Sequence, residues 1–518
     1  MSYIPPLMRC ALPLAFLATA SLGLAAPAPV TDLTLGAAID RALLNNLGLA
    51  VTRLSAANAF DSIDIAQSVF DPTVNWTNTL SGTRTPLEIS SGAPADRGYV
   101  SGVGVSQHFT WGGTLAVGAS MSRAWGDSGS VGSPSLFDFG TTISYTQPLL
   151  AGGWEAANLT SLISARQGAV RGRLELRAAA LDLIRDTEIA YWSLAGARTL
   201  VSARETSLRS SESLLAQVKA KRALGDATLL EELQASADVS TQRVALLDAR
   251  QSVDGAEMTL RRSLGRGTAS DIEKAITVQP LSTEAVPPPA DFQPWIRIAA
   301  DFDFATAIQL SNLTQADASV TQASQNDKPS LNLTISGSTY ADPALGFSAG
   351  YQNFRHQAGW GNSVGLTLSF PLGFRESAAN LRTAARSRRQ AELLLVNVRQ
   401  ELVFNARAAW RDLESARTRV TASGASLELQ RKSYEGERAR YGAGQSDILR
   451  VLQAQAAFDA AQVSWLQSLL DARIAAARVG RLDGTILTRH GFKMEAVEQQ
   501  VGLGLGSTDP LPVLPELK

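Results

Sequence analysis

The chain has 518 residues, more than one ordinary domain needs, and its 47 Lys and Arg almost cancel its 48 Asp and Glu with no long basic tract. That balance excludes an extended nucleic-acid footprint. Past the N-terminal segment no run of about 18 apolar side chains occurs, which excludes a helical membrane span.

At the N-terminus Arg9 precedes the apolar run CALPLAFLATASLGLAA and then small residues. This is the order of a secretory signal peptide, with cleavage expected after Ala25 or Ala28, so residues 1–28 are assigned to it. The sole cysteine, Cys10, lies inside that segment, and Leu-Met-Arg before it does not fit a lipidation signal. The mature chain is therefore expected to carry no disulfide and no lipid. Export without a helical anchor leaves a soluble periplasmic or secreted protein, or a β-barrel.

The first half, residues 29–278, alternates two kinds of text. TVNWTNTL sets Val74, Trp76 and Leu80 on one side and Thr73, Asn75, Thr77 and Thr79 on the other; further strand candidates are 102–110, 114–125 and 137–147, with TWGG (110–113) as a turn. Segments of about ten residues with one apolar and one small polar face fit barrel strands, and equally a half-wet soluble sheet. Pro148 then stands where strand must become helix. A Pro-free stretch rich in Ala, Leu, Arg and Glu predicts a helix of about 155–224, on the order of 100 Å long at 1.5 Å per residue. Gly225 reverses the chain, Thr228 and Glu231 supply a capping box, and a return helix runs to about residue 264.

A proline-rich stretch from Gln279 to Trp295 predicts a connector, assigned to 279–297. The second half, 298–484, repeats the order: strands SLNLTIS and SVGLTLSF, Pro371, a long helix of about 375–442, a reversal at Gly444 capped by Ser446 or Asp447, and a return helix to about 480. Residues 485–518 lose periodicity and are expected to be a mobile tail. Gly444 follows Gly225 by 219 positions, and Leu452-Gln453-Ala454 follows Leu233-Gln234-Ala235 by the same interval. A heptad seam through Leu413, Val420, Leu427, Tyr434 and Tyr441 falls, at that interval, on Leu194, Val201, Leu208, Leu215 and Arg222. The shared offset predicts a two-fold internal repeat of coiled-coil hairpins.

Catalytic chemistry is not indicated. His108, His356 and His490 have no metal-ligand spacing, GLGLG at Gly502 lacks a strand before and a helix after it, and no Ser–His–Asp arrangement can be argued, so no enzyme, cofactor or metal is expected. Trp76, Trp111, Trp125, Trp154 and Trp360 fall near strand ends, as interfacial girdles require, with core packing as the alternative.

The stretch from Leu33 to Asn75, YTQPLLAGG, RYGAGQSDILRVLQAQ and the doubled layout resemble the TolC family of outer-membrane efflux and secretion channels, over roughly 33–484. The resemblance implies an α+β membrane protein: a homotrimer sharing one outer-membrane β-barrel that continues as a long α-helical coiled-coil tunnel in the periplasm. It implies a passive exit duct of a tripartite efflux or type I secretion system, in contact with outer-membrane lipid and opened at its periplasmic tip by an adaptor and an inner-membrane transporter. The two glycine turns then form the tip, with Leu224, Gly225, Asp226, Gly442, Gly444, Gln445 and Ser446 as docking residues. Arg222, Glu231, Gln234, Tyr441, Arg450 and Gln453 form the gate, and Pro148 and Pro371 mark the strand–helix junctions. Tyr441 matches a family tyrosine that ties the closed end. Where some relatives carry two aspartates that favour cations, this chain has Arg450 and Gln453. Glu231 and Gln234 occupy the equivalent places in the first half, so Glu231 either meets Arg450 across neighbouring hairpins or both are solvated charges. Six strands per protomer would give about eighteen in a trimer; an inner hairpin outside the barrel would leave about twelve, the number the family norm favours. The alternative is an exported soluble coiled-coil scaffold.

Overall fold

The computed structural model describes residues 33–84, 95–126, 135–265, 276–281 and 291–491. The expected signal segment with Cys10, the middle of the expected connector and residues 492–518 with Gly502 lie outside the described residues. In chain order the elements are α1 (Leu35–Asn45), α2 (Leu47–Gln67), β1 (Thr73–Arg84), β2 (Ala95–His108), β3 (Thr114–Gly126), β4 (Leu136–Pro148), α3 (Glu155–Asn158), α4 (Thr160–Ala223) and α5 (Leu229–Ser263). They continue with α6 (Phe292–Asp301), α7 (Phe304–Asn326), β5 (Ser330–Tyr340), β6 (Ala344–Leu345), α8 (Phe347–Gln357), β7 (Gly359–Ser369), α9 (Arg375–Gly442), α10 (Ile448–Leu482) and α11 (Thr485–Arg489).

Two helices run the length of the helical part, α4 with 64 residues and α9 with 68, each about 100 Å. Shorter helices pack beside them: α5 and α2 on α4, α10 and α7 against both α4 and α9. Where α5 ends, α2 begins; Asn46 caps α2 through its Oδ1 and donates its side-chain amide to the Ser263 carbonyl at 3.0 Å. The end of α10 meets the start of α7 in the same way, with Phe302 packed at Gly484. Burial explains why such long helices form, since neither has a strong cap at its start and both are alanine-rich where they touch neighbours. Ala190, Ala195, Ala406 and Ala416 are all nearly inaccessible, and their small side chains let the helix axes approach.

The central core joins the two halves. Tyr191 is fully buried, donates its hydroxyl to the Leu33 carbonyl at 2.9 Å and accepts from the Gln279 backbone at 3.0 Å. Two expectations need correction here. The last residues of the proline-rich segment are not linker: they open α6, whose Trp295 is buried and donates to Asp483 Oδ2 at 2.8 Å. The chain after Gly484 is not mobile throughout either. Ile486 and Leu487 of α11 are buried, and His490 lies 3.2 Å from the buried Glu188 carboxylate.

All strands form one antiparallel sheet in the order β1-β2-β3-β4-β5-β7, with β6 pairing β4 beyond the end of β5. The inner hairpin β2–β3 is thus part of the sheet, paired on both sides along most of its length, and does not lie outside it. Because paired residues share a face, the register can be read as rows. Val74, Val105, Val117 and Ile143 form one row, and Trp76, Val103 and Ala119 the next. On the opposite face Asn75, Gly104, Gly118, Thr142, Ser338 and Gly361 line up across all six long strands. One face is apolar and exposed, with Val74, Trp76, Leu80, Val364, Leu366 and Leu368 each more than half accessible; the other is glycine and hydroxyl.

Helix α8 was not legible as a helix in the sequence. It follows β6 at the end of the sheet away from the long helices and folds back onto the apolar face of β4. Phe347, Tyr351 and Phe354 all reach Phe139, at ring separations of 5.3, 5.9 and 6.4 Å.

Candidate functional site

The two glycine turns sit together at the end of the helices farthest from the sheet, and their geometry is the same. Gly225 (φ 88°) and Gly444 (φ 72°) both take the left-handed conformation that a side chain disfavours. Asp226 N–H donates to the Lys221 carbonyl at 2.9 Å and Gly225 N–H to Arg222 at 2.9 Å; Gln445 N–H donates to Arg440 at 2.8 Å and Gly444 N–H to Tyr441 at 3.1 Å. These paired bonds satisfy the last carbonyls of α4 and α9 and turn the chain within a few residues. The return helices start on caps: Thr228 with Glu231 as a reciprocal capping box, and Asp447 accepting from Arg450 N–H at 3.0 Å. Ser446 does not cap; its hydroxyl donates to Glu437 at 2.8 Å and, with Arg440 nearby, holds that carboxyl below its ordinary pKa.

Behind the turns a small core ties the hairpins to each other. Leu214 and Val218 of α4, Tyr434 and Tyr441 of α9, and Ile448 and Val451 of α10 are buried together. Lys221 donates its ammonium to the Tyr441 carbonyl at 2.9 Å and lies 4.1 Å from that ring's centroid. Burial raises the Tyr441 pKa, with Glu231 adding to the shift, and its hydroxyl has no hydrogen-bond partner among the described residues. Within one chain the carbonyl and ring of Tyr441, rather than its hydroxyl, make the tie. One layer further in, Asp459 accepts from Ser207 at 2.6 Å and from Gln242 at 2.8 Å, while Gln455 donates to Ser211 at 2.6 Å. Burial pushes the Asp459 carboxyl above its ordinary range despite those donors and Arg204.

The expected gate residues separate into two groups. Arg222 pairs with Glu232, and Glu231 is engaged in its capping box. Arg450 is exposed beside Glu437, Gln453 is exposed and Gln234 half-buried. No Glu231–Arg450 ion pair forms within the chain among the described residues. Leu224 at the first turn is 79% exposed. Pro148 and Pro371 lie at the other end of the long helices, where Trp154 (φ 68°) and Phe374 (φ 45°) both take positive φ just before α3 and α9, Phe374 alone in the left-handed helical conformation. Sequence reasoning missed Lys221, Ser207, Gln242 and Asp459, whose partners are more than 200 residues away. No cluster able to hold a metal and no helix long and apolar enough to cross a membrane occurs among the described residues.

The sheet carries two aromatic levels. Trp111, stacked on Phe109 and donating to the Tyr145 hydroxyl at 3.0 Å, and Trp154 lie at the helix end; Trp125 and Trp360 lie at the far end. Trp360 and Phe370 bracket Val364, Leu366 and Leu368 on one face of β7 and its end. That spacing is about 33 Å along the strand and about 25 Å in height at a tilt of about 40°, the height of an outer-membrane apolar band. Trp76 sits within the band, 72% exposed.

Comparison with known proteins gives the same picture. The sequence pattern of the outer membrane efflux protein family matches residues 110–266 and 300–485. Solved structures with the same fold include the Campylobacter jejuni CmeC outer membrane channel, 18% identical over 90% of this chain and 89% of that one, with a TM-score of 0.69. A membrane protein from Pseudomonas aeruginosa is 19% identical over 87% and 90%, with a TM-score of 0.67. The open state of the Neisseria gonorrhoeae MtrE outer membrane channel is 17% identical over 87% and 88%, with a TM-score of 0.64. No curated protein matches the chain.

Proposed function

Because this chain belongs to the outer membrane efflux protein family, a family of passive channels rather than enzymes, we propose that three copies close into one exit duct across the outer membrane and periplasm. The observation that carries this reading is the sheet. Its two faces differ as lipid and water require, and its β1 and β7 edges are each paired on one side only. Long open edges are avoided in soluble proteins and are removed by closing a barrel. With six long strands per protomer the closed barrel has eighteen strands, and its glycine and hydroxyl face lines a wide aqueous lumen. The apolar face lies against outer-membrane lipid, and the helices extend into the periplasm.

The helical end supports three-fold closure independently. Ile448 of α10 is 1% exposed because α4 covers it, whereas Leu229, its equivalent on α5, is 56% exposed with Leu230 and Leu233 beside it. A neighbouring copy's α9 would cover that flank of α5 as α4 covers α10. Residues 29–278 and 298–484 then act as two equivalent units per protomer, giving six hairpins around one pore. Leu224, Gly225 and Asp226 with Gly442, Gly444, Gln445 and Ser446 form the surface offered to a periplasmic adaptor and its inner-membrane pump. Arg222, Glu231, Gln234, Tyr441, Arg450 and Gln453 surround the constriction that opens on docking. Electron cryomicroscopy of the full-length protein extracted from outer membranes tests the reading. A trimer with eighteen barrel strands is expected; a monomer, or a sheet that stays open, overturns it.

A further inference from the structure

The apolar face of the sheet is not uniformly apolar. At its far end, opposite the glycine turns, it carries Arg97 and Arg123 on neighbouring strands, and α8 adds Arg355 and His356 in its last turn. Arg97 pairs directly with Trp125, and Arg123 directly with Tyr99, so the two arginines are diagonal neighbours on one face, within about 8 Å of each other at their Cβ atoms. The Arg123 guanidinium carbon lies 4.7 Å from the Trp125 ring and 5.3 Å from the Phe137 ring, and its Nη2 donates to Ser135 at 3.1 Å. Its Nε is buried with no hydrogen-bond partner among the described residues. Among the described residues neither Arg97, Arg123 nor Arg355 forms an ion pair, so within the described structure three positive charges gather, without a charged partner, at the end of a face otherwise suited to hydrocarbon.

Helix α8 links the two basic loci. Phe347 packs edge-on to Phe137, the ring that Arg123 covers, at 6.0 Å. Gly350 lets the helix backbone lie on the strand, since a Cβ there would stand 2.9 Å from the Phe137 carbonyl oxygen. Phe347 and Tyr351 still leave about half their surface outside. A helix with one face on the barrel wall, aromatic edges on its flank and basic residues at its end has the make-up of an interfacial helix. Uncompensated arginines beside tryptophans at that level match a layer of phosphate groups, not water or acyl chains.

We propose that this patch binds the phosphate-bearing headgroup of an outer-leaflet glycolipid, with Arg97 and Arg123 on one side of α8, Arg355 and His356 at its end, and Trp125, Phe347, Tyr351 and Trp360 against the sugar and upper acyl region. The inference rests on the barrel reading, because only that reading sets the far end of the apolar face in the outer leaflet.

Native mass spectrometry of the intact trimer in detergent, titrated with diphosphoryl lipid A, provides the test. Lipid A is expected to bind at three sites per trimer, and lipid A stripped of both phosphates to bind far more weakly. The triple variant R97Q/R123Q/R355Q is expected to lose about hundredfold in affinity, a factor of about five for each basic side chain near an anionic layer. R97K/R123K/R355K should restore most of that loss, and Lys328→Gln, at the opposite end of the sheet, should leave binding unchanged. Equal binding by the Gln variant, or equal binding of the dephosphorylated lipid, overturns the proposal. Competition by millimolar inorganic phosphate also overturns it, because it would mark a free-phosphate site. Conductance of the same preparations in planar bilayers separates the two readings: channels without lipid selectivity remove this inference alone, whereas absence of channels removes the barrel.

Discussion

Four of the eight glycines at positive φ among the described residues perform two different tasks, and the difference predicts how each tolerates a side chain. Around Gly225 and Gly444 a Cβ would meet nothing within 4 Å, so alanine there costs only the left-handed backbone, about 1 kcal/mol. At Gly265 a Cβ would run into the Asn45 carbonyl, and at Gly484 into the Phe302 ring, so alanine also forces apart the junctions where α5 meets α2 and α10 meets α7. G265A and G484A are expected to cost about 1–3 kcal/mol beyond the backbone term and to lower the yield of folded protein, while G225A and G444A only speed amide exchange in the last turns. Equal effects at all four sites would refute this division. Asp459 makes a second prediction. Burial raises its folded pKa above the unfolded value, so the stabilisation that protonation brings is full below the ordinary carboxylate range and is lost as pH climbs through the raised value. Hydrogen exchange around Ser207, Gln242 and Asp459, corrected for intrinsic rates, should therefore show tighter protection at pH 5 than at pH 7.5 in the wild type. Asp459→Asn, which cannot titrate, should flatten that dependence.

At the scale of elements, what could be read in the sequence was what is written locally. Both long helices end within about two residues of the expected positions because a glycine, a capping residue and a return heptad lie side by side in the chain. The strands were legible because alternation is a nearest-neighbour signal. Helix α8 was not, although Phe347, Tyr351 and Phe354 are spaced as one helical face, because its stabilising partner Phe139 lies some 200 residues away and glycines flank it. The tie of Lys221 to Tyr441 and the Ser207–Asp459–Gln242 bridge are long-range for the same reason. The inner hairpin was legible as strands, and only its pairing on both sides shows that it belongs to the sheet. That pairing allows a direct experiment. β1 and β4 run in opposite directions, so deleting residues 95–126 leaves a loop joining their far ends and lets them pair directly. The shortened chain is expected to form a barrel of twelve strands with about two thirds of the original diameter, measurable by electron cryomicroscopy and by the size of polymers that enter from outside. An unchanged diameter would mean that β2 and β3 do not line the wall.

At the scale of the whole molecule, the 219-residue offset between the two glycine turns would make the seam within a protomer and the proposed seam between protomers equivalent in position but not in chemistry. Inside one chain Leu214 and Val218 meet Ile448 and Val451, all buried. At the same offset the residues that would face each other between copies are Ser433 and Glu437 against Leu229 and Glu232. Burial of each large aliphatic side chain contributes about 1.5–3 kcal/mol, so the inner seam is the stronger by several such increments, and Lys221 fastens it further through Tyr441. Opening should therefore part the tip between protomers while each pair of hairpins moves as one body. Cysteine pairs can separate the two seams without interference, since the only native cysteine, Cys10, lies in the segment expected to be removed on export. Oxidising L229C/S433C should give covalently linked trimers on a denaturing gel and block passage until reduced. Oxidising L214C/I448C should link each chain only to itself and leave passage intact. If the second pair blocks the duct and the first does not, the tip opens within the protomer and the polarity of the seam does not govern its motion.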